Sequence, residues 1–189
     1  DLGRPRSSRR RITTVVRYTA RPRRGLYFNV PEPAYPDRPR QIWTQGQAED
    51  SAYYFPCFDY PGEKATSELT VTVPSSWFAL SNGHLVSHRR NGRRRTTTYH
   101  WKQERPHPAY LVTLVAGELT AVETSAENAG EGGNDVPVQY YGPPGSGSAL
   151  RRTFGHTPEM VRFFAERIGT PYPWAKYSTV AVADFIFGG

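Results

Sequence analysis

Prolines and glycines divide this chain more firmly than any other feature. There are 17 of each among 189 residues. Proline has no backbone N–H and holds φ near −65°, so neither a long helix nor a central strand runs through one. Pro22, Pro31, Pro33, Pro36 and Pro39 crowd one stretch, which is therefore expected to be an extended surface loop. Between such breaks lie short β-branched and aromatic runs at residues 12–18 (ITTVVRY), 64–73 (KATSELTVTV), 77–80 (WFAL) and 136–141 (VPVQYY). Residues 111–119 (LVTLVAGEL) are apolar almost throughout, as suits an interior strand. Many short strands with frequent turns favour a mainly β fold.

One pair of strands carries its own turn signal. Residues 84–90 and 93–101 flank Asn91-Gly92, and Asn-Gly between strand-like arms predicts a type I′ hairpin. Arg89, Arg90, Arg93, Arg94 and Arg95 then mark an exposed tip. The same hairpin disposes of a tempting metal motif. His84 and His88 have the i, i+4 spacing of a helical zinc site. On a strand that spacing separates the rings by roughly 13 Å, whereas each ligand lies about 2 Å from its zinc. His100, His107 and His156 show no ligand spacing.

After a polar, glycine-rich loop at residues 126–135 and a further link at 142–147, the periodicity changes. Residues 148–168 read as helix, with Thr157-Pro158-Glu159 resembling a capped start and Gly169 a left-handed stop. Whether Pro158 starts a second helix or kinks one is open on sequence alone. Met160, Val161, Phe164, Ala165 and Ile168 fall on one face and are expected to be core. The chain closes with a Pro- and aromatic-rich corner at 170–174 and a strand-like alternation of Val180, Val182, Phe185 and Phe187 before Gly188-Gly189.

Composition sets outer bounds. The single Cys57 leaves no internal disulfide framework and no thiolate zinc cluster. No stretch approaches the roughly 20 apolar residues that cross a bilayer. Net charge is +7, with basic runs at residues 4–11 and 89–95 that read first as solvated surface and second as a nucleic-acid contact. The opening residues contain neither an initiator Met nor an apolar signal core, and read as a processed or truncated terminus that says nothing of compartment.

Several blocks, in order, resemble the M1 family of zinc aminopeptidases. They are Gly25-Leu26-Tyr27-Phe28, Gln45-Gly46-Gln47 followed by Phe55-Pro56-Cys57-Phe58-Asp59, the Tyr110-Leu111 run to Gly117, Pro171-Tyr172-Pro173-Trp174-Ala175-Lys176-Tyr177, and Asp184-Phe185 to Gly188-Gly189. Ala52 stands where many members carry Arg, and Tyr60 where many carry Glu. The resemblance implies a mainly β domain of antiparallel sheets, saddle- or sandwich-like, over residues 1–135 and incomplete at its start. It implies that residues 136–189 open an α+β, thermolysin-like peptidase domain and stop before the zinc motif.

What the resemblance implies for chemistry is specific. Gln47 would hold the substrate's amino group and Gln45 would support it. Gly188 and Gly189 look like the first two letters of the family's G-x-M-E-N motif, and Phe187 would line the S1 pocket. No catalytic residue and no metal ligand is expected in this chain. Zinc would belong to a full-length parent acting on peptides with a free amino terminus, and the isolated chain is expected to be inactive. A non-catalytic M1-like scaffold is the alternative, followed by a basic nucleic-acid-binding module. No specific nucleic acid and no membrane span is expected.

Overall fold

The computed structural model describes residues 11–187. Three sheets account for the strands among these residues. The first orders β1 (Leu26–Asn29), β2 (Gln41–Thr44), β7 (Leu114–Gly117) and β4 (Phe78–Ser81) as β1-β2-β7-β4, antiparallel throughout. A second, also antiparallel, sets β6 (Thr96–Pro108) between β3 (Lys64–Pro74) and β5 (His84–Asn91). In the third, β9 (Val136–Gly142) pairs antiparallel with β8 (Thr120–Ala126) and parallel with β10 (Tyr177–Val180). Two helices, α1 (Gly147–Phe154) and α2 (Thr157–Ile168), pack on this third sheet. The protein is mainly β, as expected.

Alternation explains how the first two sheets meet. Val73, Tyr99 and Trp101 project from one face of the second sheet, where Leu69 lies opposite Trp101 and Val71 opposite Tyr99. Val73 and Tyr99 pack toward Ala79 and Ala116, paired neighbours on β4 and β7 that are fully buried, while Trp101 packs with Leu80 and Tyr141. Two alanines let the sheets approach closely. Trp101 closes the edge of this core, its Nε1 donating to Ala79 O at 2.9 Å. The third sheet joins through Tyr141, stacked on Phe78 with ring centroids 5.2 Å apart.

Several expectations are corrected. Residues 12–18 form no ladder; Val15 is 76% exposed, and Tyr18 Oη donates to Tyr54 O at 2.9 Å. Strand propensity without a neighbouring edge does not make a strand. Conversely, the proline-rich stretch does contain β1, at the edge of its sheet where such a neighbourhood is tolerated. The Asn-Gly turn is not type I′. Asn91 ends β5 opposite Thr96, its Oδ1 accepts from Arg94 N at 3.0 Å, and Arg95 takes the positive φ of 51°. The apolar run at 111–119 does supply an interior strand, β7 between β2 and β4, but a shorter one than the run, before the chain crosses to β8 in another sheet. Of the terminal alternation only residues up to Val180 pair as strand; 181–187 run on without a ladder.

The helical stretch splits in two. Pro158 lies in the first turn of α2, whose cap is His156 rather than Thr157. Thr157 instead donates from Oγ1 back to Phe154 O at 2.7 Å. Gly169 ends α2 at φ 72°, as expected. The expected core stripe is one residue deep: Val161 is buried, while Met160, Phe164 and Ile168 are 55%, 56% and 70% exposed. The glycine-rich loop before Val136 joins two neighbours of one sheet, with Ala126 directly opposite Val136.

Candidate functional site

The loop carrying the two glutamines leaves β2 at Thr44 and is pinned from three sides. Gln45 N donates to Gly25 O at 2.9 Å, fixing the loop to the start of β1. Gly46 is packed so tightly that a Cβ would lie 2.5 Å from Tyr110 O and 2.6 Å from Ser51 Oγ. Only glycine permits that approach. Beyond it, Ser51 Oγ donates to Ala109 O and Tyr54 Oη to Val112 O, both at 2.9 Å. Burial pushes the Tyr54 hydroxyl up to about 12, so it remains a donor across the physiological range. Asp50 is held by Arg24 at 3.0 Å. On this frame Gln45 is half-buried and Gln47 exposed, joined to Ala48 by a cis peptide. Neither carboxamide has a hydrogen-bond partner among the described residues.

The end of the chain is seated on the same strands. Gln41 Oε1 accepts from Ala183 N at 3.0 Å, and Asn29 Nδ2 donates to Ala183 O at 2.7 Å. Carboxamides on β1 and β2 thereby satisfy a backbone that has no ladder of its own. Arg38 pairs with Asp184 at 2.9 Å. Aromatic contacts follow: Trp43 meets Phe185 at 5.4 Å and Phe187 at 6.5 Å between centroids, and stacks on Tyr27 at 4.3 Å. Phe187 also meets Tyr27 edge-on at 5.8 Å.

The structure therefore brings Phe187 against Trp43, two residues before Gln45. Gly188 and Gly189 lie outside the described residues. A cleft of about 380 Å³ opens between β2 and the terminal segment, lined by Trp43, Thr44, Val115, Val182 and Phe185 among others.

A second anchor holds the segment between α2 and β10. Lys176 Nζ donates to Ser81 O at 2.7 Å and to Gly83 O, and sits 4.5 Å from the centre of the Trp101 ring. Burial pushes this ammonium down to about 8. Two carbonyls and an aromatic face supply the partners that a buried cation requires. The sequence placed Lys176 in a family-like block but gave it no role, and it gave Gln41, Asn29 and Arg38 none either. A lysine enclosed by Trp174, Tyr172 and Tyr177 was the visible signal for the first; the others are ordinary polar residues whose role depends on what folds over them.

No three His, Cys, Asp or Glu side chains among the described residues converge to hold a metal ion. His84 faces Lys102 across the ladder and His88 faces Tyr99, so zinc does not fit these residues. Cys57 is half-buried, its thiol pushed up by burial and by Asp59. No helix of the described residues is long and apolar enough to cross a membrane.

Comparison with known proteins identifies the family. The Peptidase M1 N-terminal domain family matches residues 6–111. Aminopeptidase M1 of Arabidopsis thaliana is 31% identical over 77% of this chain and 16% of its own length. Aminopeptidase M1-B of Oryza sativa subsp. japonica is 33% identical over the same share of this chain and 16% of its own. Aminopeptidase RNPEPL1 of Homo sapiens is 27% identical over 88% of this chain and 21% of its own. The chain thus spans less than a quarter of the length of these relatives. It belongs to the M1 aminopeptidase family, whose amino-terminal domain it carries.

Proposed function

We propose that this chain is one wall of the substrate cleft of a zinc-dependent aminopeptidase, which removes amino-terminal residues from peptides. Gln47, exposed on a pinned loop, holds the substrate's free amino group, and Gln45 supports it. Phe187 borders the S1 pocket, and Gly188 and Gly189, outside the described residues, are assigned to the substrate site from their sequence motif alone. The observation that carries this reading is the clamp of residues 183–187 onto β1 and β2, immediately before the glutamine loop. An uncharged carboxamide accepts from an ammonium without neutralising it, which suits a group that must release its product.

The metal chemistry is assigned to the remainder of a longer parent, and zinc there would supply a polarised water for attack on the peptide bond. Residues after β7 are proposed to open the α+β, thermolysin-like peptidase domain. The expected division at 135/136 would cut the β8–β9 ladder, so the division is proposed at the crossing from β7 to β8, near Glu118.

Two tests bear on this. Purified chain incubated with leucine p-nitroanilide and zinc is expected to show no turnover above buffer; measurable turnover would place catalytic groups inside residues 1–189. Coding sequence downstream of Gly189 is expected to read Met-Glu-Asn and then H-E-x-x-H. Its absence would favour a scaffold protein.

A further inference from the structure

We propose that the arginine-tipped β5–β6 hairpin is a sequence-independent contact for duplex DNA, entering the major groove as a two-stranded ribbon. Five guanidinium groups, those of Arg89, Arg90, Arg93, Arg94 and Arg95, lie within one exposed tip. None of them forms an ion pair among the described residues. Arg89 and Arg90 are consecutive on a strand and so point to opposite faces. The other three surround the turn. Arg95 adopts the left-handed backbone at φ 51°, a conformation glycine or asparagine reaches at less cost. The turn thus carries arginine where turn geometry alone would select another residue.

The tip also stands apart from the glutamine loop. β5 has 8 residues, a span of roughly 26 Å, starting beside the Gly83 carbonyl that Lys176 grips. Its arginines are not accounted for by the proposed peptide cleft. Cationic groups on both faces and around the end suit a groove with phosphates on each side. A B-DNA major groove, about 12 Å wide, admits a two-stranded ribbon. A flat anionic bilayer would meet only one face. Interfacial binding also draws on Trp, Phe or Leu, and residues 89–95 contain no apolar side chain.

Fluorescence anisotropy with a mixed-sequence duplex of about 20 base pairs tests the proposal, using the whole chain at increasing salt. With about five phosphates neutralised, affinity is expected to fall about 500-fold between 50 and 200 mM salt. The triple variant R93Q/R94Q/R95N keeps a residue that tolerates the left-handed turn, and it should melt like the parent chain. Its log–log salt slope is expected to be shallower by about 2.7. An unchanged slope would overturn the proposal. So would loss of binding only when Arg4, Arg6 and Arg9 are replaced by Gln, or tighter binding to phosphatidylserine vesicles than to the duplex.

Discussion

The second sheet and helix α2 both present an apolar stripe with the expected period, and only one of the two is covered. On β6, Tyr99 and Trp101 alternate with polar neighbours and meet β4, β7 and Lys176. On α2, Met160, Phe164 and Ile168 recur at helical spacing, yet Val161 alone is buried. A groove of about 410 Å³ runs along them beside Pro171, Tyr172 and Tyr177. Periodicity tells which face is apolar. What rests on that face is a separate matter, decided by the rest of the fold.

Stability measurements can break or sharpen that contrast. Trp101→Ala removes a 4%-exposed side chain and orphans its bond to Ala79. It is expected to cost about 3–5 kcal/mol, seen as a large drop in the urea midpoint. A loss under about 1 kcal/mol would show that the sheet interface is not the core. Next in size is Gly46→Ala, whose new methyl would meet the Tyr110 backbone. Overpacking of this kind costs about 1–3 kcal/mol, and a neutral result would mean that the glutamine loop is not pinned.

Lys176 comes third and is read against pH. Burial holds its folded pKa at about 8 against an ordinary 10.5. Between those values the unfolded chain binds more protons than the folded one, so this group makes stability rise with pH. Its contribution is complete above 10.5 and is lost as pH falls to about 8. Lys176→Met should flatten the chain's stability profile between pH 8 and 10, where the wild-type slope from this group is at most about 1.4 kcal/mol per pH unit. Tyr54, Tyr141 and Tyr172, which burial pushes up from 10 to about 12, act in the opposite sense from about pH 10 upward and are common to both proteins, so they cancel in the comparison. Identical profiles for the two proteins would mean that the ammonium is fully solvated. The smallest effect is expected on α2: Phe164→Ala and Ile168→Ala should each stay within about 0.5 kcal/mol. Losses like that of Trp101 would mean that the helix face is covered in solution.

Legibility followed the range of the interactions. The β5–β6 hairpin, the Gly169 stop and the arginine tip were readable because neighbours in sequence determine them. The type of the tip turn was not, since Asn91 remained in the ladder and bonded Arg94 instead. Residues 12–18 had strand composition but no adjacent edge. At the candidate site, the ordered motifs located the glutamine loop and the terminal segment. The groups joining them were invisible, because Gln41 and Asn29 act on Ala183 across 142 and 154 positions. A buried carboxamide has no signature until its partner is known.

A nitroxide at Ile186, exposed beside Phe187, gives the most direct test that the terminal segment and the glutamine loop share one wall. It would be attached through Ile186→Cys, with the native thiol removed by Cys57→Ser. The account predicts strong broadening of the side-chain amide signals of Gln45 and Gln47 and of the Trp43 indole signal, with Arg93 left sharp. Sharp signals from both glutamines would contradict it.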